Sequence, residues 1–330
     1  MTIAAAPTLD DVRAAAVAIE SYLSLPTPLI QSPALSELVG TEVSLKLEFA
    51  TPIGVFKLRG GLNLVGQLSD SERDAGLVTA STGNHGQSVA YAAQLHGARA
   101  VIFVPEGANA DKIAAMERLG AEVRSEGDRF DDCIRLARSF ADANGMRFVS
   151  SGDEPALIAG VGTAALEVLE GQQPETDVVI VPVGGGSGVS SWCVVRDGLG
   201  RATEIWGVQS AQAPAAHDSW REGVVVTRPN LTMAEGLATG AGFALPVAIM
   251  RESLDQFVLV DDDAIGDAVV AMLEEQHLLV EPAGASPLAA ALANRERLAG
   301  RSVVLVCSGA NITRAQLQAL LNARETSSAR

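Results

Sequence analysis

Short apolar runs alternate with amphipathic segments along most of the 330-residue chain. The apolar runs predict β-strands because each is brief and is bounded by polar or turn-forming residues. They cover 43–48, 76–81, 99–105, 121–125, 177–183, 204–209 and 302–307. Segments such as 85–97 and 110–120 carry apolar residues at spacings of three and four and end in glycine, as helices do. Strands and helices in series predict an α/β fold of the doubly wound class, with parallel sheets covered by helices.

Composition and charge narrow the possible functions. Hydrophobic residues make up 48% of the chain and charged residues 19%, which is typical of a globular protein with one large or two modest domains. The net charge of −16 argues against nucleic acid and anionic membrane as partners, since both attract clustered Lys and Arg. No run approaches 18 uninterrupted apolar residues, and residues 1–20 do not resemble a signal peptide, so we expect no membrane association.

The three cysteines, Cys133, Cys193 and Cys307, are widely separated and odd in number. Such a set favours a reducing compartment over a disulfide framework or a four-cysteine zinc site. We therefore expect a cytoplasmic protein.

The stretch "VPVGGGSGVSS", residues 181–191, leads a strong predicted strand directly into a glycine-rich turn. Glycines let successive backbone N–H groups converge, and the following helix adds positive potential, so the loop is typical of a phosphate site. No Gly-Lys-Ser/Thr follows, and the third small residue of the dinucleotide fingerprint is absent. A tight strand–helix turn without a ligand is the structural alternative. The pattern "GVGTAA" at 160–165 does match that fingerprint, but it lies in a segment that reads as helix.

Three further stretches place polar groups at the ends of strands or the start of a helix. "ASTGNHGQSVA", 80–90, offers hydroxyls, an amide and helix-terminal N–H groups to a carboxylate, although ordinary helix capping fits equally well. "CSGAN", 307–311, offers the Ser308 hydroxyl, again with capping as the alternative. In "TPIGVFKLRG", 51–60, Lys57 opposes the dipole at a predicted helix start, which favours a neutral or covalently bound amine over a solvated lysine.

Taken together, "FKLRG", "STGNHGQ", "GGGSG" and "CSGAN" resemble, in order and spacing, the fold type II pyridoxal-phosphate enzymes. The chain is most similar to the threonine/serine dehydratase branch, which includes serine racemase, over about Thr27 to Thr313. The resemblance implies two parallel-sheet α/β domains, like those of the tryptophan synthase β-subunit, with the cofactor between them. Residues 1–70 and 155–330 would form the large cofactor-binding domain and 71–154 a small mobile domain. It also implies a homodimer.

The resemblance implies that the cofactor is pyridoxal 5'-phosphate and that particular residues contact it. It implies a Schiff base on Lys57, and Phe56 and Gly236 against the cofactor ring. It implies a hydrogen bond from Asn84 to the ring 3-oxygen and from Ser308 to the pyridine nitrogen. The phosphate is implied to lie on Gly184, Gly185, Gly186, Ser187 and Gly188.

The same resemblance implies a reaction. Lys57 would act as the base at the substrate Cα, with Thr82 on the opposite face as a second catalytic group. The substrate-binding residues would be Ser81, Thr82, Asn84 and His85, with Glu281 behind them. The expected function is β-elimination, a dehydration followed by hydrolysis of the resulting imine, which converts a 3-hydroxy amino acid such as threonine or serine to a 2-keto acid and ammonia. A phenylserine-type or hydroxyaspartate-type dehydratase, a racemase and a β-replacement synthase remain alternatives.

The chain departs from the family pattern at several positions. Val55 replaces a common serine two residues before the lysine and makes the pocket rim more apolar. Thr82 stands where serine racemase has a serine, which puts racemisation in doubt. Gln209 and Ala215 stand where metal-binding relatives have carboxylates, so we expect no metal there, since hard cations need such oxygens. Phe243, in the loop 237–246, has two interpretations, a residue that lines the substrate pocket and an ordinary core contact, of which the core contact is favoured.

A function of a different class is an anion- or nucleotide-binding module without covalent chemistry. That interpretation uses the glycine loop and leaves Lys57 unexplained.

Overall fold

The computed structural model describes residues 3–171 and 175–328 of the chain. Its strands are β1 Leu29–Gln31, β2 Glu42–Leu47, β3 Leu77–Ala80, β4 Ala100–Val104, β5 Glu122–Ser125, β6 Arg147–Phe148, β7 Val178–Pro182, β8 Glu204–Ser210, β9 Gln256–Val260 and β10 Ser302–Cys307. Its α-helices are α1 Leu9–Ile19, α2 Pro33–Val39, α3 Leu58–Gly66, α4 Asp70–Ala75, α5 Asn84–Leu95, α6 Ala110–Arg118, α7 Phe130–Asn144, α8 Pro155–Leu169, α9 Ser187–Leu199, α10 Ala215–Glu222, α11 Ala244–Ser253, α12 Asp262–Gln276, α13 Pro282–Ala293, α14 Arg295–Leu298 and α15 Arg314–Ser328. A short 3₁₀ turn covers Glu235–Leu237.

The strands form two sheets. The six-stranded sheet has the order β1-β2-β10-β7-β8-β9, and the four-stranded sheet has the order β5-β4-β3-β6. All described pairings are parallel except the edge pair β1–β2, which is antiparallel. The four-stranded sheet comes from one continuous stretch, 77–148, whereas the six-stranded sheet combines strands from both ends of the chain. The α/β fold with parallel sheets is therefore confirmed.

All seven sequence-predicted strands are present, with boundaries shifted by at most one residue. Three strands were missed: β1 has three residues, β6 has two, and β9 lies at a sheet edge with a mixed burial pattern. Runs of two or three residues carry too little periodicity to stand out from loops, and β9 lacks the continuous burial of the central strands. The pattern "GVGTAA" at 160–165, which matches the dinucleotide fingerprint, lies inside helix α8, as predicted.

Helices cover both faces of the six-stranded sheet, which explains why its central strands are continuously apolar. Along β10, Val303 and Leu305 point into the core on one face, while Val304 and Val306 point into the core on the other. The first face is packed by α2, α12 and α13, and the second by α1, α8 and α9. The four-stranded sheet is covered in the same way, because Ile102 and its neighbour Phe103 belong to different apolar clusters.

A buried ionic cluster anchors helix α3. Arg59, which is fully buried, binds Glu48 through Nε (2.7 Å) and Glu167 through Nη1 (2.7 Å). Lys46, also buried, binds Glu167 (2.5 Å) and the Thr27 carbonyl (2.8 Å). Burial raises the pKa of the Glu48 carboxyl, but the charges of Arg59 and Lys46 outweigh it, so this pKa lies below its ordinary value. Two cations and two carboxylates thus compensate one another two residues from Lys57.

The cysteines and the helices bear on two expectations from the sequence. Cys133, Cys193 and Cys307 are buried free thiols, as expected. Within the described parts of the chain, we find no helix with the length and apolar character needed to cross a membrane.

Candidate active site

A cavity of about 350 Å³ lies between the two sheets. It is bounded by loops that follow strands, the position at which parallel α/β sheets bind ligands. The loop after β3 contributes residues 81–85, the loop after β7 contributes Gly185, and the loop after β10 contributes Asn311. Lys57 reaches into the same space from the start of α3. Loops that are distant in sequence therefore converge on one lysine.

Lys57 places its amine in this cavity, next to the glycine loop. Its Nζ lies 3.3 Å from Ser187 Oγ and 5.1 Å from the centre of the Phe56 ring. Burial lowers the pKa of the amine to about 8, so near neutral pH an appreciable fraction is unprotonated. The chain has two other lysines, Lys46 and Lys112, and both pair with carboxylates. Lys57 is thus suited to nucleophilic or base chemistry.

The glycine loop is packed so closely that side chains would not fit. A Cβ on Gly184 would lie 2.3 Å from the Gly236 carbonyl oxygen, and a Cβ on Gly185 would lie 2.9 Å from the Phe243 ring. Gly186 has φ +93°, which favours glycine. Helix α9 begins at Ser187, so its N-terminal N–H groups face the turn. This strand–glycine–helix arrangement fits an anion such as a phosphate.

Phe56 and Ser308 lie beside the large cavity and not in its lining. The Phe56 amide donates to the Ser308 carbonyl (3.0 Å), and the Phe56 ring faces Gly188. Both side chains line a smaller void of about 10 Å³ together with Gly188. Gly236, in contrast, lines the large cavity.

Asn84 is held from two sides at the start of helix α5. Its Nδ2 donates to Glu281 Oε1 (2.8 Å), and its Oδ1 accepts from Asn311 Nδ2 (2.8 Å). Glu281 is 6% exposed and lines the cavity, and burial raises the pKa of its carboxyl to about 7. Glu281 therefore contacts Asn84 directly, which is closer to the site than the sequence implied.

The loop 81–85 presents its backbone to the cavity. Ser81 Oγ accepts hydrogen bonds from the amides of Gly83 (3.2 Å) and Gly86 (2.8 Å), and helix α5 has no side-chain cap at Gly83. Thr82 is exposed and lines the cavity. The start of α5 thus combines a free hydroxyl with helix-terminal N–H groups, which suits a carboxylate.

His85 is buried and neutral. Thr79 Oγ1 donates to the Val149 carbonyl (2.8 Å), so the hydroxyl accepts from His85 Nε2, 3.0 Å away. Burial, with a smaller effect of the Lys57 charge, lowers the pKa of His85 to about 3. His85 lines the cavity as a neutral ring and brings no charge to a carboxylate.

Several cavity residues were missed in the sequence, among them Lys112, Glu235 and Gln316, and Phe243 was misjudged. Lys112 of α6 pairs with Glu235, and Gln316 also binds Glu235 (3.0 Å). Phe243, interpreted as a core contact, instead lines the cavity. The scarcity of lysine was a signal for Lys112, but nothing in the local sequence indicated that Glu235 would pair with it or that Gln316 would bind Glu235.

The position expected to lack a metal is occupied by an amide. Gln209 Oε1 accepts from the His217 amide (3.0 Å), while Ala215 begins helix α10. Among residues 3–171 and 175–328, no group of three or more His, Cys, Asp or Glu side chains is arranged to hold a metal ion.

The fold and the site together define an α/β enzyme in which a half-buried lysine faces a glycine cradle at the end of a parallel strand. These residues fit pyridoxal phosphate, since an amine of lowered pKa and an anion site lie within one hydrogen bond of each other. The chain belongs to the family of pyridoxal-phosphate dependent enzymes, whose model matches residues 21–309. The resemblance to fold type II enzymes and the cofactor prediction are thereby confirmed.

The relatives include ammonia-lyases and a racemase. The chain is 36% identical over 318 residues to an L-threonine ammonia-lyase of Thermotoga maritima, covering 96% of this chain and 78% of that protein. It is 32% identical to an L-threo-3-hydroxyaspartate ammonia-lyase of Saccharomyces cerevisiae, covering 97% and 98%. The structure of maize serine racemase is similar, with a TM-score of 0.89 and 28% identity, covering 99% of this chain and 100% of that one.

Proposed function

We propose that the protein is a lyase that uses pyridoxal 5'-phosphate to eliminate water from a 3-hydroxy amino acid, releasing a 2-keto acid and ammonia. The observation that carries the proposal is the half-buried Lys57 amine, of lowered pKa, beside the glycine cradle. Relatives named for ammonia-lyase activity, at 32–36% identity over nearly the whole chain, support the reaction class.

When bound, pyridoxal phosphate supplies an aldehyde for amines and a ring that withdraws electrons from the substrate Cα. The chain's residues would do the rest. Gly184 to Gly188 would hold the phosphate through backbone N–H groups and the start of α9. Asn84, fixed by Glu281 and Asn311, would donate from its amide to the ring oxygen. Phe56, Gly236 and Ser308 complete the proposed cofactor site.

Proton transfer falls to Lys57. Because burial lowers its pKa to about 8, the unprotonated amine is available as a base near neutral pH. The start of α5, with Ser81, Thr82, Asn84 and His85, would hold the substrate carboxylate so that the Cα proton lies near Lys57 Nζ. Since His85 is neutral, the backbone N–H groups of the helix terminus provide most of the attraction.

The function is tested by measuring keto acid and ammonia released from serine, threonine, 3-hydroxyaspartate and phenylserine. We expect equimolar keto acid and ammonia from at least one of them. A yellow, cofactor-loaded protein that releases neither product from the whole panel would refute the proposal. Conversion between the D and L forms without keto acid would indicate a racemase.

Thr82→Ala tests the proposed role of the exposed hydroxyl. If Lys57 removes the proton, we expect kcat/KM for elimination to fall by no more than about 10-fold, since one hydrogen bond contributes roughly 0.5–1.5 kcal/mol. Ser81→Ala is the matched control and should lose more activity, because Ser81 Oγ orders two amides of the loop. Complete inactivation of Thr82→Ala with an intact chromophore would make Thr82 essential for catalysis.

The proposal extends to organisation and location. We propose that 71–154 is a small mobile domain against a large domain of 1–70 and 155–330, supported by the continuous origin of the four-stranded sheet. A cytoplasmic homodimer is also proposed, and the three buried free thiols support the reducing compartment. Light scattering of the purified protein would measure the oligomeric state.

A further inference from the structure

Phe243 is a large apolar side chain in the lining of the cavity that Lys57 enters. It stands immediately before helix α11, and its carbonyl accepts from the Val247 amide (3.0 Å) as the helix begins. Its backbone is therefore fixed by the first turn of α11, whose apolar face is buried in the core.

The Phe243 ring is fixed as well, because it lies between two glycines. A Cβ on Gly152 would come within 2.3 Å of Phe243 Cγ, and a Cβ on Gly185 would come within 2.9 Å of Cε2. Distances below 3.0 Å leave no room for a methyl group, so the ring occupies space that any other residue at 152 or 185 would need. An aromatic side chain seated in this way has little freedom to move.

A second contact fixes the part of the cavity lining that contains Phe243. The Leu245 amide donates to Asp153 Oδ1 (2.9 Å), and the Asp153 amide donates to Ser150 Oγ (3.1 Å). The loop 150–153 is thus bound to the start of α11 by one hydrogen bond, next to the close approach of Gly152 and the Phe243 ring. The Phe243 ring is therefore held in a defined position in the cavity lining by its neighbours.

The position of Phe243 in the cavity lining determines which part of the substrate it would contact. The amino group must lie near Lys57, and the carboxylate fits the start of α5 at Ser81 to His85. The side chain of the substrate is then left facing the wall formed by Gly185, Thr239 and Phe243. We propose that Phe243 limits the size of the substrate's β-substituent, so that the enzyme accepts serine and threonine and excludes aryl-substituted 3-hydroxy amino acids. This inference rests on the proposed function.

The volume and charge of the cavity support a small neutral substituent. The cavity volume of about 350 Å³ lies near the lower end of ligand pockets, roughly 300–1,000 Å³. The two lysines in the lining are Lys57 and Lys112, and Lys112 already pairs with Glu235. A substrate with a second carboxylate would have to compete with Glu235 for it.

The experiment compares kcat/KM for phenylserine and threonine in wild type, Phe243→Ala and Phe243→Leu. We expect the phenylserine-to-threonine ratio to rise about 10–100-fold in Phe243→Ala, the range that pocket size contributes to discrimination, with Phe243→Leu in between. The matched control is Phe130→Ala, because Phe130 also lines the cavity but packs on the four-stranded sheet. Its ratio should not change.

A binding measurement separates this inference from the proposed function. The Kd of the cofactor-loaded protein for phenylalanine and for alanine, followed by the change in visible absorbance, requires no elimination. We expect Phe243→Ala to lower the Kd for phenylalanine, relative to the Kd for alanine, by about 10-fold or more. If no hydroxy amino acid is turned over, the function fails while this ratio still decides the role of Phe243. An unchanged ratio in a loaded, folded Phe243→Ala or Phe243→Leu, or the same rise in Phe130→Ala, overturns the inference.

Discussion

Lys57→Ala should lose the yellow chromophore and its turnover together. The Lys57 amine is proposed both to bind the cofactor aldehyde and to take the Cα proton. Removal of a positioned base typically costs about 10²–10⁴-fold, so we expect keto-acid formation to fall at least about 10³-fold. Absorbance of the purified variant and keto-acid release from the best substrate are the two measurements.

The chain has three lysines, so the residue that carries the cofactor can be identified directly. Borohydride reduction followed by peptide mass spectrometry can place the adduct on one of three side chains, Lys46, Lys57 or Lys112. Lys112→Gln is the matched control, because Lys112 lines the same cavity but pairs with Glu235. We expect this variant to stay yellow. An adduct on Lys46 or Lys112, or wild-type turnover by Lys57→Ala, would be incompatible with the proposed site.

Arg59→Met should cause the largest loss of stability. It leaves Glu48 and Glu167 buried with Lys46 as the remaining cation of the cluster. Breaking a buried ion pair from one side costs about 3–5 kcal/mol, since the charge left behind has lost both water and partner. Denaturant unfolding followed by circular dichroism measures the change in the free energy of unfolding.

Two variants control for the Arg59 result. Arg135→Met removes a comparable ion pair with Asp132 at an exposed position, and its cost should stay below about 1 kcal/mol. Glu48→Gln combined with Arg59→Met leaves one lysine facing one carboxylate, so we expect the double variant to be more stable than Arg59→Met alone. If Arg59→Met unfolds at the wild-type denaturant concentration, the cluster does not anchor α3 in the way described.

Much of this molecule could be predicted from local patterns. The seven strands were visible because fully buried parallel strands form continuous apolar runs, as in 177–183 and 302–307. The glycine loop was visible because the absence of side chains is itself a sequence signal, and Gly184 and Gly185 are indeed positions where a Cβ would collide. Lys57 stood out because a cation at a helix start opposes the dipole.

Other features depended on contacts between segments far apart in sequence. His85 looked like a ligand for a carboxylate, but burial, with a smaller effect of the Lys57 charge, lowers its pKa and keeps the ring neutral. Glu281 became a direct partner of Asn84 through a contact that spans 197 residues. The antiparallel edge strand β1 has three residues, too few for any periodicity.

The sequence by itself determined the fold class, the central strands of both sheets, Lys57 and the glycine loop. Each of these is indicated by the residue types in one short stretch of the chain. The tertiary structure decided what surrounds them: the pairing of Lys112 with Glu235, the hold of Glu281 on Asn84, and the Phe243 ring between Gly152 and Gly185. Those features arise where separate loops meet across the cavity, and no local propensity encodes a distance between loops. The physical reason is that burial and partner distance, which set pKa values and pocket shape, are properties of the packed chain.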